Sequence, residues 1–320
     1  MNKIRIGLAG SAGYTGGELI RLLLHHPAAE IAFAHSKSNA GKYVSEVHTD
    51  LLGETVLKFT DSISGDIDVL FLCLGHGESR KFLAGNSPGP HTRVIDLSQD
   101  FRVGSDFTYG LPELNREKIG RSRQVANPGC FATAIQLALL PLAKSSLLRH
   151  EIHVNATTGS TGAGQSLSET SHFSWRQNNL SVYKAFGHQH LSEIRQGIGM
   201  LQSDFSQEIS FIPLRGSFTR GILATVYMHC DLSGEEAGRM FREFYAQHPF
   251  VKVSNSPIDL KQVVNTNKCM LHVEKHGSKL AVTSAIDNLL KGASGQAVQN
   301  MNLMFGLEET TGLKLKASVF

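Results

Sequence analysis

The N-terminal segment IRIGLAGSAGYTGGELIRLLLHHP constrains the fold more than any other stretch of the chain. Ile4, Ile6, Leu8 and Ala9 make a short apolar run that stops at Gly10. Leu19, Ile20, Leu22, Leu23 and Leu24 then supply a helix stripe that Pro27 ends. This reads as buried strand, glycine turn and amphipathic helix. A second apolar run, Ile31 to Ala34, follows almost at once. Two strands separated by one helix pack as a right-handed crossover, so the pattern predicts a parallel sheet covered by helices, with further strands at Asp68 to Leu74 and Arg93 to Leu97.

The pattern changes after NPGC at 127–130. FATAIQLALLPLA has helical spacing through about Leu140. Longer strands are then expected at Glu151 to Thr157, Glu208 to Pro213, Ile222 to His229, Leu271 to Lys275 and Lys279 to Ala285. Long strands with few intervening helices predict a mixed, largely antiparallel sheet. KGASGQAVQNMNLMFG returns to a glycine entry and helical spacing, and is expected to pack back on the first domain. The fold class is therefore α/β with a second, α+β domain.

With 320 residues the chain suits about two domains. Its net charge of +3, without a Lys/Arg cluster, lacks the basic stripe that nucleic-acid binding needs. The four cysteines form no C-x-x-C pair, which argues against a disulfide framework or a Cys-rich zinc site and for a reducing cytosol. Charges in the first five residues do not resemble an export signal, and no apolar run approaches the ~20 residues of a membrane span.

Gly7, Gly10 and Gly13 give G-x-x-G-x-x-G between the first strand and its helix, the context in which backbone N–H groups and the helix dipole receive a dinucleotide pyrophosphate. A tight turn that needs glycine for positive φ is the plainer reading. The end of the second strand, HSKSNAGK, has no acidic residue to accept a ribose 2′-OH. Ser36, Lys37, Ser38 and Lys42 offer hydroxyls and positive charge, which predicts NADP(H) over NAD(H). Cys130 follows Pro128-Gly129 and opens an apolar helix, where the dipole favours a thiolate. Cys73, Cys230 and Cys269 lie in or beside apolar strands and read as small buried hydrophobes. His188 and His190 in GHQHLSEI are candidates for a general acid/base beside that thiol, an ordinary surface pair being the alternative. No third ligand at a recognisable interval supports a metal. TGSTGAG at 158–164 is either an anion nest or a crowded turn, and Arg220 precedes a strand where a guanidinium suits a substrate carboxylate.

Taken together, GLAGSAGYTGGEL (7–19), VIDLSQDFR (94–102), YGLPEL (109–114), NPGCFATA (127–134), GHQHLSEI (187–194), TRGILATVY (219–227) and DNLLKGASGQAVQN (287–300) resemble the N-acetyl-gamma-glutamyl-phosphate reductase family, a relative of aspartate-semialdehyde dehydrogenase. The resemblance implies an NADP-binding Rossmann domain, 1–129 with 291–320, and a catalytic and oligomerisation domain, 130–290, in a homodimer or homotetramer. It implies NADPH-dependent reduction of an acyl phosphate in arginine biosynthesis, with Cys130 as nucleophile and His190 or His188 moving the proton. Cofactor contacts are implied at Gly10, Ser11, Gly13, Tyr14, Thr15, Gly16, Gly159, Gly162, Asn288, Lys291 and Gly292, and substrate contacts at Asn127, Arg102, Arg220 and Gln136.

The chain departs from the family's pattern in three places. Phe131-Ala132 follows the cysteine in place of an aromatic-proline pair. Gln165 replaces a basic residue after the glycine loop. PLRGSFTRG at 213–221 replaces a segment like PHLVPMTRG. Arg215 in that last segment motivates an N-succinyl substrate as an alternative. A semialdehyde dehydrogenase for another acyl phosphate and a non-catalytic NADP-binding protein are the remaining ones.

Overall fold

The computed structural model describes residues 3–319. The chain divides into two compact units. One runs through Pro128 and takes in Ala293–Lys314; the other runs Gly129–Gly292 and takes in the stretch from Leu315 onward. That last stretch is tied to the second unit because Ser318 N–H donates to the Val264 carbonyl and Asn265 Nδ2 donates to Ser318 Oγ.

The first unit begins with β1 (Ile4–Ala9), α1 (Tyr14–Leu24) and β2 (Ala29–His35), then β3 (Phe59–Thr60), β4 (Val69–Leu72), α2 (Glu78–Gly85), β5 (Arg93–Asp96), β6 (Thr108–Tyr109), α3 (Pro112–Arg121) and β7 (Gln124–Ala126). The sheet order is β3-β2-β1-β4-β5-β7-β6, and every pairing is parallel. β4 is buried at all four positions, as a strand covered on both faces requires.

The second unit opens with α4 (Cys130–Lys144), followed by β8 (Ile152–Thr158), α5 (Phe173–Arg176), β9 (Ser181–Val182), α6 (His190–Leu201), β10 (Ile209–Arg215), β11 (Ile222–His229), α7 (Gly234–Tyr245), β12 (Val251–Ser254), β13 (Cys269–His276) and β14 (Lys279–Ile286). Its sheet order is β12-β13-β14-β11-β8-β10-β9. The sheet is mixed: β8 pairs β10 and β12 pairs β13 in parallel, and the rest are antiparallel. Helices are more prominent here than the strand-rich sequence suggested, with α4 packing on β11, β14 and α6, and α7 on β12 and β13. β11 alternates buried and outward positions, so Tyr227 and His229 face away from the core.

α4 runs four residues past the expected stop, through Pro141 to Lys144, and is buried from Phe131 to Ala143. A proline inside a helix removes the N–H that the carbonyl four residues earlier needs. Here the Leu137 carbonyl takes the hydroxyl of Tyr245 instead, at 2.5 Å. The chain then returns to the first unit as α8 (Ser294–Met304), which packs against α1 and α3 and donates from Ser294 Oγ to the Thr15 carbonyl.

Candidate active site

Cys130 is the first residue of α4, and Gly129 is its N-cap in extended conformation with no side-chain cap. The thiol therefore sits where the first-turn N–H groups have no intrahelical acceptor and the dipole is positive. The glycine before it is required by packing: a Cβ on Gly129 would lie 2.4 Å from His190 Nε2. On the other side a Cβ on Gly292 would lie 2.7 Å from the Cys130 Cβ. Two glycines thus let an imidazole and a backbone turn close around the start of α4 at Cys130.

His188 and His190 are buried, at 4% and 6% exposure, so the surface-pair alternative does not hold. Their rings meet edge to face at 4.6 Å. They are not equivalent. His188 lies among the rings of Phe131, Tyr183 and Phe211, and its Nδ1 accepts the His190 backbone N–H at 3.2 Å. Burial, with Lys184 and Arg215 nearby, pushes its pKa down to about 4, so it is a neutral ring at physiological pH. His190 faces Gly129, and its Nε2 lies 3.9 Å from Glu193 Oε1. Tyr183 stacks under Arg215, whose Cζ is 4.5 Å from the ring centroid. Burial and the neighbouring Cys130 push the Tyr183 phenol up to about 12.

Other residues expected at the site are held more firmly than their sequence context suggested. Arg220 pairs with the fully buried Asp287, Nε to Oδ2 at 3.1 Å. Arg102 donates to the carbonyls of Asn127 and Leu97, and Asn127 in turn bonds the Ala293 carbonyl and Asn300. Gln136 is buried within α4 and donates to the Ala132 carbonyl. In 158–164 the N–H groups of Gly159, Ser160, Thr161 and Gly162 all reach backbone carbonyls, so the loop is the crowded turn and not an open anion nest. Asn288 braces it by accepting from Gly221 N–H and donating to Thr161 Oγ1. Lys291 is fully buried, with Nζ 5.9 Å from the Phe250 ring.

In the first unit, Gly10 has φ +78°, and a Cβ there would strike the Cys73 carbonyl at 2.8 Å. Gly13 differs. A Cβ there would meet nothing nearer than 4.0 Å, so no protein neighbour requires glycine, and what it preserves is open approach to the uncapped start of α1. Ser11 is buried, with N–H and hydroxyl both on the His35 carbonyl, and fixes the turn; Gly16 packs on Ser11. Tyr14 and Thr15 open the helix, Tyr14 being exposed. Beside this turn a cavity of about 500 Å³ is lined by Gly10, Ser36, Lys37, Ser38, Lys81 and Asn86, among others. Its one acidic lining residue, Glu78, is bonded to Lys81 at 2.8 Å. That donor set suits a ribose bearing a 2′-phosphate. Lys81 and Asn86 had no local signal in the sequence, since only the packing of α2 brings them to the end of β2. Cys73 is half-buried near the same turn, and desolvation pushes its thiol up to about 12, which disfavours a thiolate there.

Two sequence profiles match the chain: the semialdehyde dehydrogenase NAD binding domain over residues 5–122 and the semialdehyde dehydrogenase dimerisation domain over 130–288. N-acetyl-gamma-glutamyl-phosphate reductases of Flavobacterium johnsoniae and Phocaeicola vulgatus are 57% and 58% identical over 99% of this chain and 100% of their own length. The chain belongs to the N-acetyl-gamma-glutamyl-phosphate reductase family. This reductase-family chain also shares its fold with aspartate semialdehyde dehydrogenase II of Vibrio cholerae, with TM-score 0.77 at 17% identity over 96% of this chain and 99% of that one. An aspartate semialdehyde dehydrogenase from Candida albicans solved with NADP gives TM-score 0.71 at 15% identity, over 95% of this chain and 99% of that one. Among the described residues of this family member, no cluster of three or more His, Cys, Asp or Glu could hold a metal ion, and no helix is long and apolar enough to cross a membrane.

Proposed function

We propose that this chain is an NADPH-dependent reductase that converts N-acetyl-gamma-glutamyl phosphate to N-acetylglutamate 5-semialdehyde and phosphate, a step of arginine biosynthesis, through a thioester on Cys130. The observation that carries the reading is Cys130 at the uncapped start of α4 with His190 packed on the glycine before it. Cys130 Sγ attacks the acyl carbon; the C–S bond forms and the bond to phosphate breaks, releasing phosphate. NADPH supplies the hydride that takes the thioester to the aldehyde level. His190 gives a proton to the thiohemiacetal oxygen and takes it back as the C–S bond breaks and the thiolate leaves. His188, neutral and ringed by aromatics, orients His190 through the backbone bond to its Nδ1. Ser36, Lys37, Ser38 and Lys81 hold the cofactor's 2′-phosphate. The outward side of β11, within the stretch matched by a dimerisation domain, supports assembly as a homodimer or homotetramer.

The test is phosphate-dependent reduction of NADP by N-acetylglutamate 5-semialdehyde, comparing wild type with Cys130→Ser. Activity is expected in wild type and absent in the variant, with NADPH binding unchanged. A folded Cys130→Ser enzyme that still turns over ends the thioester route.

Arg215 favours a second reading of the acyl group. Among the described residues its guanidinium pairs with no carboxylate: it meets the Tyr183 side chain, its Nε is buried without a hydrogen-bond partner, and Arg176 and Lys184 add positive charge nearby. A half-buried guanidinium that has Tyr183 but no carboxylate beside it suits a second carboxylate on the substrate, as in an N-succinyl group. Comparing kcat/KM for N-acetyl and N-succinyl semialdehydes decides between them; a clear preference for acetyl removes the succinyl reading.

A further inference from the structure

Glu193 has no part in the mechanism above, yet it is 2% exposed in the first turn of α6, three residues after His190. Its two carboxylate oxygens face different partners. Oε2 accepts the backbone N–H of Gly129 at 2.9 Å, and Oε1 lies 3.9 Å from His190 Nε2. The same Nε2 is the atom that a Cβ on Gly129 would strike. One buried carboxylate therefore touches both the backbone that presents the thiol and the imidazole edge turned toward that backbone. A carboxylate removed from water is costly unless it is hydrogen-bonded and paired with positive charge, and His190 in its protonated form is the cation within reach.

We propose that Glu193 is a positioning residue for the thiol–imidazole site: it holds His190 against the Gly129–Cys130 backbone and favours the imidazolium form that protonates the thiohemiacetal oxygen. This rests on the thioester reading. The groups that face His190 are Glu193 on its own helix, His188 in the preceding loop, Phe131 on α4 and the Gly129 backbone that leads into Cys130; Tyr183, Lys184 and Arg215 stand behind His188. Lys184 and Arg215 oppose a positive charge on the neighbouring His188, whereas Glu193 supports one on His190.

The deciding measurement is the pH dependence of kcat for semialdehyde oxidation, in which His190 acts as the base and activity falls once it is protonated. Glu193→Gln keeps an acceptor for Gly129 N–H but loses the charge. Its acid limb should move down by about one pH unit or more, and its plateau kcat should fall about tenfold or more, with KM little changed. Glu193→Asp, which keeps the charge, should retain a limb near the wild-type position. A Glu193→Gln limb that coincides with wild type overturns the proposal, even if kcat drops. Should neither variant fold, an NMR titration of the His190 ring in the wild-type enzyme, assigned with His190→Gln, settles the matter. A pKa above the ordinary value of about 6.5 supports the role, and one at or below it does not. The two possible failures are separable: an active Cys130→Ser removes the thioester itself, whereas an inactive Cys130→Ser beside an unmoved Glu193→Gln limb removes only the role of Glu193.

Discussion

The Tyr245 hydroxyl donates to the Leu137 carbonyl at 2.5 Å, four residues before Pro141 in α4. The helix that presents Cys130 therefore keeps its length past a proline because α7 supplies the missing donor. Tyr245→Phe leaves a buried carbonyl unsatisfied and should cost about 1–3 kcal/mol in urea denaturation. In a Pro141→Ala background the backbone N–H is restored, and the cost of Tyr245→Phe should shrink toward zero.

Gly129→Ala places a Cβ where His190 now packs. A displacement of the imidazole by about an ångström should lower kcat about 100-fold. Overpacking should cost about 1–3 kcal/mol of stability, while NADPH affinity of the folded variant should stay close to wild type, which separates the effect from misfolding.

His188 carries a pH signature in stability. Its folded pKa, about 4, lies below the ordinary value of about 6.5 because burial opposes its charge. The unfolded state therefore binds more protons between these values, so this group's contribution is fully present above about pH 6.5 and is lost as pH falls toward 4. The loss amounts to no more than about 3 kcal/mol. His188→Gln should flatten the slope of unfolding free energy between pH 7 and 5 relative to wild type; parallel slopes would contradict the assignment.

Ser36→Asp puts a carboxylate beside Lys37 in the cavity at the end of β2. It should repel a 2′-phosphate and accept a ribose hydroxyl, lowering the NADPH/NADH ratio of kcat/KM by about tenfold or more. An unchanged ratio would place the 2′-phosphate elsewhere.

Arg220→Ala leaves Asp287 buried without its guanidinium, although three backbone N–H groups still reach that carboxylate. Losing one partner of a buried pair typically costs about 3–5 kcal/mol, so the variant should lose stability by denaturant titration in the absence of any substrate. Full stability with a raised KM would instead assign Arg220 to the substrate alone.

Much of this was legible in short windows of sequence. The strand, turn and helix around Gly10, the thiol behind Pro128-Gly129 and the acid-free end of β2 are local features, each carried by a few adjacent residues. The stop expected at Leu140 was overrun because the donor that rescues the Leu137 carbonyl, left without its N–H by Pro141, sits 108 residues from that carbonyl on Tyr245. The 158–164 loop was ambiguous for a similar reason: its N–H groups are taken by carbonyls of 218, 219 and 221, which spacing cannot reveal.

The sequence by itself determined the family, the two kinds of sheet and the place of Cys130 at a helix start, because strand and helix periods, glycine turns and helix starts are written in consecutive residues. Only the tertiary structure set the two histidines in different surroundings and brought Glu193 to one of them. Phe131, Tyr183 and Phe211, from three separate segments, desolvate His188. A contact across 64 residues joins Glu193 to Gly129, and another across 67 commits Arg220 to Asp287. Charge state and pairing depend on every group that surrounds an atom, and those groups are gathered by folding from segments far apart in the chain.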